Sequence, residues 1–163
     1  MNLGVAGNGG RRYDLEERLL DYAAEVVALT NQLPANRAGN HIAAQILRSG
    51  TSPYPNHGEA EDAESRDDFI HKLKICLKEL RETLRWARLV RRKAYAKDDP
   101  TLVFVLGEAD ELIRIFYSSI QTARRNALAE KRPASEPLRY SPSSPSRPGS
   151  SGGWMFDHVL RAQ

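Results

Sequence analysis

The sequence predicts an all-α protein, an antiparallel up-down four-helix bundle followed by a Pro/Ser/Gly-rich tail. Three observations carry that expectation. Apolar residues recur at three- and four-residue spacing through almost all of residues 14–132. The breaks between these runs are short, which makes consecutive helices antiparallel neighbours around one core. Five of the nine prolines (Pro133, Pro137, Pro142, Pro145, Pro148) fall in the last 31 residues, together with ten serines and glycines. The chain of 163 residues therefore divides into a leader (1–13), a bundle (14–132) and a tail (133–163).

The first helix opens on Asp14 with Glu17 three residues on, a pattern resembling a capping box. Leu15, Leu19, Tyr22, Ala23, Val26 and Leu29 then mark its inner face, and Leu33-Pro34 ends it. The second begins near residues 35–38 and carries Ile42, Ala43, Ile46 and Leu47. It soon meets Ser49-Gly50-Thr51-Ser52-Pro53-Tyr54-Pro55. Each proline lacks a backbone donor and disfavours helix in the residue before it, so a kink or break is expected there, with helix resuming over 58–63.

The third helix is the longest uninterrupted run. Ser65 with Asp68 forms an N-cap pattern, and no Gly or Pro follows until Pro100. Phe69, Leu73, Cys76, Leu80, Thr83, Ala87 and Val90 keep a 4-3-4-3 spacing to about residue 95, flanked by Ile70, Leu77 and Leu84, which is a bundle seam. Asp99 and Pro100 open the fourth helix as N-cap and first helical residue. Its expected inward face is Leu102, Val103, Leu106, Ala109, Leu112, Ile113, Phe116 and Ile120, fading between residues 125 and 131.

Composition excludes several classes. No stretch approaches the roughly 20 apolar residues of a membrane helix. The opening MNLGVAGNGGRRY lacks an apolar run of signal-peptide length, so export is not expected. The single cysteine, Cys76, can form no internal disulfide and sits in the apolar pattern as a core residue. A cytoplasmic, bacterial-type globular protein is the residual class. The tail is expected to be disordered from residue 133 to about 153, because it buries too little apolar surface to offset its ordering entropy. Its end differs: Trp154, Met155, Phe156, Val159 and Leu160 could dock on the bundle, bind a partner, or be an unselected terminus.

The net charge of +3 conceals strong polarity. Residues 59–68 hold six acids against one arginine, whereas residues 72–97 hold ten bases against Glu79 and Glu82. Lys74, Lys78, Arg81, Arg85, Arg88 and Arg92 follow 4-3-4-3-4 spacing, which confines them to one stripe of the third helix. On the first helix Asp14, Glu17, Asp21 and Glu25 form an acidic stripe. Two readings compete. The stripes meet as ion pairs, within one bundle or between subunits, or the basic stripe tracks the phosphates of RNA or DNA. The absence of base-reading aromatics and nucleic-acid motifs puts the ion-pair or solvated face first. Ile75, Trp86 and Leu89 form a second apolar band on the flank of the same helix, and subunit contact is its expected use.

No catalytic constellation is legible. A bundle di-iron site needs two Glu-x-x-His pairs and two further glutamates. Only Asp68-x-x-His71 resembles one, and His41, His57 and His158 have no acid three residues before them. Hydrolase triads, phosphate loops and Rossmann glycines are also missing, so no metal, cofactor or enzymatic activity is expected.

Residues 38–90, AGNHIAAQILRSGTSPYPNHGEAEDAESRDDFIHKLKICLKELRETLRWARLV, closely resemble the bacterial four-helix bundle family named after the 23S rRNA intervening-sequence protein. RSGTSPYPNHGEAEDAESRDDFIHKL with its KELRET continuation is the most specific part, and the resemblance spans about residues 13–128. It implies a compact bundle that assembles into a ring-shaped homopentamer. It also implies kinship with the accessory protein of diversity-generating retroelements, which pairs with a reverse transcriptase and presents a basic surface to nucleic acid. The family has no established catalytic residues to carry over. The expected function is a non-enzymatic, homo-oligomeric assembly or adaptor module, with RNA or DNA binding through the basic stripe as the alternative.

Overall fold

The computed structural model describes residues 15–96 and 99–130, and all its regular structure is helical. The helices are α1 (Leu15–Asn31), α2 (Arg37–Thr51), α3 (Pro53–Glu61), α4 (Arg66–Lys93) and α5 (Pro100–Glu130). They form the expected four-helix bundle, with α2 and α3 together making one arm. Asp14, the leader and the tail lie outside the described residues.

The local signals that start the helices act as their chemistry demands. The Asn36 side chain accepts from the amides of Ala38 and Gly39 at 3.1 and 2.9 Å, and the Ser65 hydroxyl accepts from Asp68 N–H at 3.1 Å. Asp99 accepts from Thr101 N–H at 2.7 Å, with Pro100 entering α5 where no amide is needed.

The break in the second arm differs from expectation. Helix continues to Thr51 and resumes at Pro53, so residues 53–57 are helical and not a gap. Ser52 itself keeps right-handed helical angles. Pro53 and Pro55 occupy the first turn of α3, where the amides they lack have no helical acceptor to lose. Asn56 repairs the junction, its side-chain amide donating to the Ser52 carbonyl at 2.9 Å.

Each arm packs on two neighbours, in the cyclic order α1, α2/α3, α4, α5. Side-chain pairs show the antiparallel pairing of the longer arms. Glu59 meets Lys72, Arg48 meets Glu79 and Glu82, and His41 meets Trp86 along α3/α2 against α4; Arg66 meets Glu130 and Arg88 meets Asp110 along α4 against α5. The inner faces expected for the first and third helices are all buried. In α5 the expectation fails at Val103, which is 67% exposed, while Val105 is buried. At 100° per residue, Val103 stands about 100° from Leu102 and about 60° from Leu106, outside the sector that α1 and α4 cover. Leu47 of α2 is likewise exposed.

At its far end α4 stops at Lys93 without a glycine. Ala94 adopts a left-handed conformation with φ of 52°. Its amide donates to the Arg91 carbonyl at 3.1 Å and that of Tyr95 to Val90 at 3.2 Å, which is a Schellman closure. Alanine is strained at this position and glycine is not. Ala94→Gly is expected to stabilise the protein by about 1 kcal/mol in urea titration.

Cys76 is buried in the core, its thiol donating toward the Pro53 carbonyl at 3.5 Å. Burial pushes the thiol up to about 12, and burial also raises the Tyr22 hydroxyl above its ordinary range. A raised folded-state value gives stability that is complete below the unfolded-chain pKa, about 8.5 for a thiol, and is lost as pH rises toward the folded value. Unfolding free energy is therefore expected to be flat from pH 6 to 8 and to fall by about 2 kcal/mol by pH 10, with a shallower slope in Cys76→Ala.

Candidate binding surface on the third arm

The seam of α4 turns Cys76, Thr83 and Val90 into the core and leaves the opposite side of the helix to solvent. On that side Lys74, Lys78, Arg81, Arg85, Arg88 and Arg92 are all exposed. They run over roughly 27 Å of helix at 1.5 Å per residue. Arg88 reaches Asp110 of α5 at 3.7 Å, and Lys78 reaches Glu79 at 3.4 Å. Lys74, Arg81, Arg85 and Arg92 make no ion pair with any described residue.

The acidic stripe of the first helix does not neutralise them within the chain. Helices α1 and α4 occupy opposite corners of the bundle with no backbone contact. Tyr22 of α1 and Thr83 of α4 face each other across the core, so the outer sides of these two helices point away from each other. Glu17 and Asp21 are exposed and Glu25 is half-buried. Between α1 and α5, Arg18 pairs with Glu108.

What α4 pairs with instead is α2. Arg48 donates to Glu79 at 3.2 Å and also to Glu82. Hydrogen bonding to Glu82, with the nearby charges of both acids, holds the Arg48 guanidinium above its usual range. Glu79 has only 7% of its side chain exposed, a burial that spacing did not reveal. A carboxylate is driven to find a cation there, because an unpaired buried charge is far costlier than a paired one. The only sequence signal was its acidity between two lysine- and arginine-rich turns.

The second apolar band proves to be shared between the bundle and its surroundings. Trp86 is half-buried, edge-on to the His41 ring of α2 with centroids 5.8 Å apart. Ile75 is also half-buried, and Leu89 is exposed. Trp86 and Leu89, with Lys78, Glu82 and Arg85, line an open hollow of about 450 Å³ beside the basic stripe. On α1, Leu20, Ala24 and Val27 form an exposed apolar ridge at i, i+4 and i+7 next to Glu17 and Asp21. Sequence reading missed that ridge because the inner face of α1 already accounted for its helical period.

His71 is exposed. Among the described residues no group of three His, Cys, Asp or Glu side chains is placed to hold a metal ion. No described helix is long and apolar enough to cross a membrane.

Comparison with known proteins bears on this arrangement. The family model described as 23S rRNA-intervening sequence protein matches residues 12–118. A crystal structure of a protein with unknown function, from the S23 ribosomal protein family of Bacteroides thetaiotaomicron, is similar with a TM-score of 0.61 and 35% sequence identity. The match covers 66% of this chain and 99% of that one. No curated protein matches the chain. On the family match, which takes in the second arm, the basic stripe and the hollow, this chain belongs to the 23S rRNA-intervening sequence protein family.

Proposed function

We propose that this protein is a non-enzymatic assembly module whose copies join head to tail, the back of α4 of one copy against the outer face of α1 of the next. The observation that carries this reading is the match between two faces that point in opposite directions. One has a basic stripe beside an apolar hollow (Arg81 and Arg85 with Trp86 and Leu89); the other has an acidic stripe beside an apolar ridge (Glu17 and Asp21 with Leu20 and Val27). Two different faces of one subunit make a heterologous contact, which closes into a ring when the rotation allows. Five copies is the size we propose, following the family resemblance, and an adaptor role follows from a ring that offers repeated surfaces without chemistry of its own.

Light scattering at micromolar concentration is expected to return about five times 18.3 kDa. Arg81→Glu with Arg85→Glu is expected to give an 18 kDa species, and Asp21→Lys with Glu25→Lys on the same chain to restore assembly. A monomer in the unmodified protein, or an assembly indifferent to the reversal, overturns the proposal.

A second reading rests on Lys74, Arg81, Arg85 and Arg92 having no ion-pair partner among the described residues. In that reading the stripe follows the phosphate backbone of RNA or DNA. Six phosphate contacts predict that affinity for a labelled duplex falls about 10³-fold between 50 and 200 mM salt. Absent or salt-insensitive binding removes this reading and leaves the assembly proposal untouched.

A further inference from the structure

We infer that residues 154–160, Trp-Met-Phe-Asp-His-Val-Leu, dock into the cleft between the end of α4 and the start of α5 of their own bundle. The cleft has a volume of about 420 Å³ and an apolar floor of Leu84, Leu102 and Leu106. Arg88 and Arg91 stand on its α4 lip, with Asp99 and Asp110 across from them. The Arg88–Asp110 approach of 3.7 Å is longer than a hydrogen bond, so neither group is closed off from another partner.

Two features of the α5 lip have no packing role among the described residues. Glycine in a helix interior costs about 1 kcal/mol relative to alanine. Yet a Cβ placed on Gly107 meets nothing within 4 Å, so no neighbour in the described structure requires its absence. One turn earlier, Val103 is 67% exposed on the same cleft. A missing side chain beside an uncovered valine lets an incoming apolar group approach the helix backbone closely.

The occupant is indicated by the chain beyond Glu130. Residues 131–153 can span at most roughly 76 Å, whereas the distance back along α5 from Glu130 to Gly107 is about 35 Å. The segment at their end holds the densest apolar cluster of the tail. At helical spacing Met155, Phe156, Val159 and Leu160 share one face, and Asp157 and Arg161 lie together next to it. That pair of opposite charges complements the arginines and aspartates of the rim. Tethering supplies an effective concentration in the millimolar range, so contacts too weak to hold a free peptide suffice.

The chain has two tryptophans, Trp86 and Trp154, so Trp86→Phe leaves Trp154 as the sole reporter. In the full-length Trp86→Phe protein, Trp154 emission is expected to be blue-shifted and its acrylamide quenching several-fold weaker than in a peptide of residues 150–163. Dilution should leave both unchanged. Adding Gly107→Leu, whose Cβ meets nothing within 4 Å and whose longer side chain occupies the lip of the cleft, is expected to return both signals to those of the peptide while circular dichroism stays helical. Val103→Lys serves the same purpose should Gly107→Leu perturb the helix. Peptide-like emission in the full-length chain, or protection that survives both cleft variants, overturns the inference. Protection lost on dilution overturns docking within one chain. Because Trp86 also lines the proposed assembly hollow, light scattering reads the mass of the Trp86→Phe protein separately, and protection of Trp154 within one chain is expected whatever that mass.

Discussion

Gly39→Ala is expected to destabilise the bundle by about 3 kcal/mol or more, the upper end of overpacking costs. A Cβ on Gly39 stands 1.9 Å from the Pro34 carbonyl oxygen, a backbone atom fixed by the α1–α2 turn. That oxygen also accepts from Asn36 N–H at 2.8 Å, so moving it disturbs the turn. Alanine is ordinarily the better helix residue by about 1 kcal/mol, and the sign here reverses because space decides. Gly50 tests the same idea in milder form. Its Cβ lies 2.6 and 2.8 Å from the two γ-methyls of Val26, which is fully buried and β-branched with little freedom to turn. Gly50→Ala should cost about 1–3 kcal/mol, less the helix-propensity gain. In a Val26→Ala background the same change should be neutral or stabilising, a coupling that a double-mutant cycle in urea reads directly. Equal effects in both backgrounds would show that α1 and α2 do not touch at this point.

Phe116→Ala is expected to cost about 3–5 kcal/mol. Phe116 is fully buried in α5, edge-on to the His57 ring of α3 with centroids 6.2 Å apart. Removing the ring leaves a cavity between two arms that are each already held by α4. Against a typical domain stability of about 5–15 kcal/mol this is a large fraction, and the thermal midpoint should drop by roughly 10–30 °C. Phe116→Leu keeps most of the apolar volume and should cost about 1–2 kcal/mol. Similar losses for the two variants would mean that the surroundings of Phe116 collapse onto the void.

The fold was legible because its signals are local. Asn36, Ser65 and Asp99 each bond to amides two or three residues away, and the seam of α4 repeats every three or four residues. The errors fall where a neighbour decides. Pro53 and Pro55 mark the expected break at Ser52, but helix resumes at Pro53 and not at 58, because both prolines sit in a first turn whose amides have no acceptor in either case. Val103 is apolar at a plausible spacing, and only the placement of α1 and α4 shows that nothing covers it. Nor does sequence composition mark the end of α4, since alanine stands where the left-handed closure would favour glycine.

The candidate surface divides in the same way. Helical period alone collects six cations on one side of α4 and three acids on one side of α1, since residues three or four apart share a face wherever the helix lies. Whether those stripes meet is a property of the bundle's cyclic order, and that order sets them back to back. The same order puts Arg48 beside Glu79 and His41 against Trp86, pairs separated by 31 and 45 positions. Local spacing thus determined which residues travel together. Only the packing of the arms, through core shape and close approaches such as Val26 on Gly50, decided what each face was left to bind.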